Sequence, residues 1–156
     1  MLRRMGNNVA DRQSTPLHSV SVAGAVIRDD GRALAIQRAD NGAWEPPGGV
    51  LELHESPEEG VRREVREETG LDVTVGPLSG VYKNVGRGIV SLVFRCRAGQ
   101  GDPHPTDEAR TVAWLTRKEV AELMTEAYAV RVLDAYGPGP TPVRTHDGTR
   151  ITPARP

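Results

Sequence analysis

Hydrophobic and polar residues alternate with the two-residue period of a strand over 19–28, 32–38, 71–75, 78–84, 87–97 and 111–115. Two stretches follow the helical period instead. In 57–69, Val61 and Val65 lie four apart and supply a buried stripe. In 117–136, Val120, Leu123, Met124, Val130 and Leu133 supply another. Local signals mark the ends. Ser56, Pro57 and Glu59 form a capping box with proline at the first helical position, and Gly70 stands where a left-handed C-terminal cap is expected. Thr116 and Glu119 repeat the capping pattern. Asp29-Asp30-Gly31 predicts a hairpin turn between the first two strands. The Gly/Pro-rich run 99–106 predicts a mobile loop, and Gly137-Pro138-Gly139-Pro140 ends the second helix. This order of mixed strands with two helices predicts an α+β fold, a sheet sandwiched between helices.

The first helix also carries chemistry. Glu64, Glu67 and Glu68 sit at i, i+3 and i+4, on a face apart from Val61 and Val65. Such a cluster is costly unless it is neutralised. Arg62, Arg63 and Arg66 could do so, with Arg63 and Glu67 spaced to pair across a turn. A divalent cation is the competing neutraliser. Pro46-Pro47-Gly48-Gly49 favours the cation, because a stiff glycine turn lets backbone approach a ligand. A cation beside a Gly-Gly turn is a device for handling phosphates. Gly60 inside the helix loses about 1 kcal/mol relative to alanine, which a close backbone approach would offset.

The spacing of this segment resembles the Nudix box. Gly49, Glu55, Arg63, Glu64, Val65, Glu67, Glu68, Gly70 and Leu71 fill its defined positions. His54 and Gly60 stand where many members have glycine and alanine, both at variable positions. The resemblance runs from about Val20 to about Leu133. It implies an α/β/α sandwich with a mixed central sheet over 19–136, flanked by a flexible N-terminal segment 1–18 and a Pro/Gly-rich tail 137–156. It also implies an enzyme that hydrolyses a diphosphate linkage in a nucleoside diphosphate derivative by water attack on phosphorus. Mg²⁺ or Mn²⁺ would be held by Glu64, Glu67, Glu68 and the carbonyl of Gly49, hard oxygen donors that suit those ions. Arg63 is expected to orient the glutamates, and Glu55 to pair near the helix. The general base would be a box glutamate or Glu108 in the loop before the last strand, with Asp107 as its neighbouring fallback. Arg38, Trp44, Tyr82 and Arg87 are candidates for holding the rest of the substrate, Trp44 being equally suited to anchoring the core. Short motifs of the ADP-ribose and dinucleotide subfamilies are missing, which leaves a generic MutT-like hydrolase of nucleoside triphosphates or nucleotide sugars. A non-catalytic nucleotide sensor on the same fold is the alternative, but this chain keeps every box glutamate. Many relatives are dimers, so a homodimer is implied.

Composition narrows the partners. At 156 residues the chain makes one domain with a real core. A net charge of −1 leaves no electrostatic footprint for nucleic acid or a membrane surface. No apolar run reaches a membrane span and residues 1–18 lack an apolar signal core, so a cytoplasmic protein is expected. Cys96, the single cysteine, lies in an alternating run and reads as a core thiol. His18, His104 and His146 read as solvated, whereas His54 could reach a phosphate from within the box. Asp147-Gly148, between Val143 and Ile151, allows a small hairpin docked on the body, although proline and charge density favour a disordered tail.

Overall fold

The computed structural model describes residues 15–153; most of the expected N-terminal segment, residues 1–14, lies outside them. The strand at the centre explains the layers. In β1 (Ser19–Val26), Val22 and Val26 point to one side and Ala23 and Ala25 to the other, and all four are buried. A strand buried on both faces must lie between two layers. Val22 and Val26 meet Val61 and Val65 of α1 (Pro57–Thr69), together with Leu34, Leu71 and Phe94. Ala23 and Ala25 meet Tyr82, Val93 and Ala135 on the opposite side.

The expected mixed sheet is present as six strands in the order β4-β1-β6-β5-β8-β9. Here β4 is Gly48–Val50, β5 Val73–Asn84, β6 Ile89–Ala98, β8 Val143–His146 and β9 Ile151–Thr152. β1 runs parallel to β6 and antiparallel to β4, with Val22 opposite Gly49 and Ala23 opposite Gly48. Three further strands form a second, antiparallel sheet, β3-β2-β7, from β3 (Trp44–Glu45), β2 (Ala33–Arg38) and β7 (Ala109–Leu115). Its Ala33, Ala35 and Leu115 pack against Val120, Met124 and Val132 of the later helices.

Several expectations are corrected. The turn at Asp29–Gly31 forms, with Gly31 at φ 85° and its N–H bonded to the Arg28 carbonyl at 2.9 Å. However, it does not pair two neighbouring strands. Beyond a single bridge, Ile27 to Ala33, β1 and β2 diverge into different sheets, because each has apolar residues to bury on both faces. The expected strands 71–75 and 78–84 merge into one, β5, which begins only at Val73 and whose register slips around Gly76 and Pro77, where proline has no N–H for the ladder. The expected helix 117–136 divides into α2 (Arg117–Leu123), α3 (Glu126–Leu133) and a 3₁₀ turn (Asp134–Tyr136). Met124 turns extended to bury its side chain, and Leu123, expected inside, is left exposed. The capping box at Thr116 is present.

The tail 137–156 is corrected over its middle. Val143–His146 extends the six-stranded sheet parallel to β5, and Ile151–Thr152 folds back on it as a hairpin. His146, read as solvated, is fully buried there. Cys96 is a core thiol, pushed up to about 12 by burial. Among the described residues no helix is long and apolar enough to cross a membrane.

Gly48 lies so close to β1 that a Cβ would overlap the Val22 carbonyl oxygen and come 2.7 Å from the Ala23 Cβ. Gly48→Ala should therefore lower the unfolding free energy by about 3 kcal/mol, seen as a lower urea midpoint at unchanged slope. Gly86→Ala, whose nearest such neighbour is Asn84 Oδ1 at 3.8 Å, should stay within about 0.5 kcal/mol.

Candidate active site

The ends of α1 follow from its sequence. The Ser56 hydroxyl accepts the Glu59 N–H at 3.2 Å, Glu59 Oε2 accepts the Ser56 N–H at 2.7 Å, and Gly70 closes the helix at φ 77°. The cost of Gly60 has a counterpart here. A Cβ at that position would stand 2.8 Å from Leu51 Cδ1 and 3.0 Å from Glu55 Oε1, so its absence admits the box loop.

The glycine turn closes over the helix. Gly48 donates its N–H to Glu68 Oε1 at 2.9 Å, and a Cβ on Gly49 would lie 2.6 Å from the Glu64 carboxylate. Neither glycine has a positive φ, so space and not conformation demands them. Beneath the turn, Glu64 and Glu68 are buried on the same side as Gly60, Val61 and Val65. The separate acidic face expected from the sequence is thus corrected: of the three acids only Glu67 faces out, with its side chain 54 % exposed.

Arg63 is the cation of this assembly. It grips Glu55 with two bonds, Nε to Oε2 at 2.9 Å and Nη2 to Oε1 at 2.6 Å. Its Nη1 reaches Glu64 Oε1 at 2.7 Å and Glu67 Oε2 at 3.3 Å, and its Nη2 also donates to the Val50 carbonyl at 3.1 Å. One side chain therefore ties the box loop, the glycine strand and two of the helix acids together. The Arg63 bond, helped by the Glu52 N–H, holds the Glu55 carboxyl down at about 2.

The other acids lack comparable support. Burial pushes the Glu68 carboxyl up to about 8. The Gly48 N–H opposes this rise, while Glu64, Glu45 and Glu108 add to it. Burial also raises Glu64, against the Arg63 bond, with Glu67 and Glu108 adding repulsion. Arg63 draws Glu64 and Glu67 to itself, and among the described residues no three acid, histidine or cysteine side chains stand as a ready ligand group.

Glu64 and Glu68 line an open cleft of about 670 Å³, with Arg38, Gly48, Gly49, Asp107 and Glu108 also on its walls. The Glu108 carbonyl accepts the Ala39 N–H at 3.0 Å, which fixes the acidic loop beside the end of β2. Arg38 is held there by Asp40 at 2.6 Å and Glu45 at 3.2 Å. Arg87 lines an adjoining depression together with Arg38 and Gly49. His54 is exposed and does not line either space. A cavity of about 700 Å³ elsewhere, lined by Arg28, Arg95, Arg97 and Tyr136, contains none of the box residues.

Two expected substrate contacts are corrected. Tyr82 is fully buried, and its hydroxyl donates to Asp134 Oδ2 at 2.7 Å; burial and that carboxylate raise its pKa. The register slip between Leu78 and Gly80 turns the strand over, so that Leu78 packs on the side of Val61 and Phe94 and Tyr82 on the side of Ala23 and Val93, an inversion that simple alternation does not show. Trp44 lies in β3 and packs against the Ala33–Leu115–Val120 cluster, lining neither space. Conversely, Glu45, Asn84 and Arg131, which no sequence motif marks, are buried polar groups in the wall of the second depression. Arg131 lies four residues after buried Ala127, so the helical period could have marked it as inward-facing.

Comparison with known proteins agrees with this geometry. The NUDIX domain matches residues 17–136. A MutT-like protein of Streptomyces ambofaciens is 62 % identical over 142 residues, covering 90 % of this chain and 92 % of that protein. A CTP pyrophosphohydrolase of Escherichia coli (strain K12) is 41 % identical over 125 residues, covering 75 % and 90 %. The crystal structure of a NUDIX hydrolase from Nitrosomonas europaea superposes with a TM-score of 0.73 at 20 % identity, covering 85 % of this chain and 81 % of that one, a likeness of fold. With Glu64 and Glu68 of its box set under the glycine turn, the chain belongs to the Nudix family of pyrophosphohydrolases.

Proposed function

We propose that this protein hydrolyses a diphosphate linkage in a nucleoside diphosphate derivative, a nucleoside triphosphate or nucleotide sugar, with Mg²⁺ or Mn²⁺ held by Glu64, Glu67, Glu68 and the Gly49 carbonyl. The carrying observation is Glu68. It is buried, its carboxyl is pushed up to about 8, and other acids crowd it on an open cleft. A buried acid that, among the described residues, has no ion-pair partner suits a bound cation. The donors are carboxylate and carbonyl oxygens, which fit hard divalent ions. The space that a Cβ on Gly49 would fill keeps backbone and the Glu64 carboxylate together as one cradle.

When bound, the cation would neutralise phosphate charge and acidify a water molecule. The chain's own residues do the rest. Arg63 orients Glu64 and Glu67, and Glu55 orients Arg63. Arg38 and Arg87 attract the substrate's phosphates along the cleft wall. Glu108 or a box glutamate takes the proton of the attacking water, which adds to phosphorus as the second phosphate leaves. The relative that hydrolyses CTP supports a nucleoside triphosphate.

Phosphate and pyrophosphate release should be measured over nucleoside triphosphates and nucleotide sugars with each ion. Glu67→Gln and Glu68→Gln should each lose about 10²–10⁴-fold in kcat while keeping the wild-type circular dichroism. Undiminished turnover in both would overturn the assigned ligands. Arg87→Ala should raise KM more than it lowers kcat, and the reverse would remove Arg87 from substrate binding.

Glu68 also predicts a pH dependence of stability in chelator. Its folded pKa of about 8 lies above the ordinary 4.5, so between these values the folded protein holds a proton that the unfolded chain releases. Stability should therefore fall as pH rises from about 4.5 to 8, by on the order of 4 kcal/mol if Glu68 alone is responsible. Thermal melts in chelator should show the decline, Glu68→Gln should flatten it, and Mg²⁺ or Mn²⁺ should restore the wild type at pH 8.

A further inference from the structure

A second depression of about 150 Å³ adjoins the carboxylate cleft and shares Arg38, Gly48, Gly49 and Val50 with it. Its wall includes Arg131 of α3, only 8 % exposed. This guanidinium lacks acceptors. Its Nε is buried without a hydrogen-bond partner, and among the described residues it makes no ion pair. Its Nη2 faces His146 Nε2 at 3.4 Å, while His146 Nδ1 accepts the Gly148 N–H at 3.0 Å. A neutral ring that accepts at Nδ1 carries its proton on Nε2. The contact then sets a donor against a donor, and His146 does not satisfy Arg131. Instead, aromatic rings hold the guanidinium, Tyr128 at 4.5 Å and Tyr82 at 5.8 Å. A buried cation left without acceptors is costly in a structural role and well suited to a ligand that brings them.

Glu45 in the same wall is the complementary group. It is buried, its Oε1 accepts Arg38 Nη1 at 3.2 Å, and no protein group among the described residues bonds Oε2. We propose that this depression is a nucleobase subsite in which Arg131 binds two adjacent ring acceptors and Glu45 an exocyclic amino group, and that the base is cytosine. The inference rests on the nucleotide hydrolase reading and names its substrate class. Cytosine places O2 and N3 side by side with the N4 amino group next to them. Uracil interrupts its two carbonyls with an N–H. Adenine offers one acceptor on each side of its amino group. Guanine pairs O6 with N7, but brings a second ring to a space far smaller than the cleft beside it. With cytosine here, the phosphates would run across Arg38 and the glycine turn towards Glu64 and Glu68.

Binding of CMP, UMP, GMP, AMP and ribose 5-phosphate should be measured in chelator by nitrogen-edited NMR, with hydrolysis of the triphosphates assayed in parallel. CMP should bind at least about tenfold more tightly than UMP or ribose 5-phosphate, as expected for one lost bidentate contact, and should shift the Arg131 Nε–H resonance of the wild type. Arg131→Met and Arg131→Lys should bring CMP down to the affinity of ribose 5-phosphate, since lysine keeps the charge without the fork. Arg131→Met should also unfold no more easily than wild type, because it removes a buried cation without acceptors. CMP bound no better than ribose 5-phosphate, or a preference that survives both variants, would overturn the subsite. Selective CMP binding without hydrolysis of any triphosphate would leave the subsite standing and defeat the hydrolase substrate reading. Hydrolysis of all four triphosphates with equal kcat/KM would do the opposite.

Discussion

The close approach of the Gly48–Gly49 backbone to helix α1 is the constraint on which the site depends. It places a main-chain N–H on Glu68, sets Glu64 under the turn and roofs both acids with backbone. Any side chain at either glycine would collide, at Gly48 with β1 and at Gly49 with Glu64. The same contact joins the mixed sheet to the helix, since β4 pairs with β1 and β1 packs on Val61 and Val65. Fold and site therefore share one piece of geometry.

Around that contact, charge is distributed unevenly. Arg63 gathers Glu55, Glu64 and Glu67 with bonds of 2.6 to 3.3 Å, and so rigidifies the loop that leads into the helix. Glu68 has a backbone N–H but, among the described residues, no side-chain cation. A protein optimised only for stability would pair or neutralise such a buried acid. Keeping it on an open cleft is the kind of local cost found where a site must accept an ion or a proton.

The same reasoning extends to the opposite wall. The last helix and the C-terminal hairpin bring Arg131 and His146 together without giving the guanidinium Nε or Nη2 an acceptor. A wall holding an acid without an ion-pair partner among the described residues thus meets a wall with a cation short of acceptors, and Arg38 and the glycine turn lie between them. A nucleotide has the matching order, anionic at one end and rich in acceptors at the other.

The sequence by itself determined α1 and its caps, the spacing of Arg63, Glu64, Glu67 and Glu68, most strand positions and the family. Each is set by local chemistry: a period, a capping pair, a glycine that must approach closely. Tertiary structure decided what depends on distant neighbours. Glu64 and Glu68 became buried because a turn some twenty residues away covers them. Tyr82 was withdrawn to bond Asp134, fifty-two residues on, and Trp44 was taken into the second sheet's core. The hairpin at 143–152 was local in its turn, but only the free edge of β5 gave it a partner and buried His146. Periodicity fixes which way a side chain points along its own element; what it meets there is fixed by packing between elements.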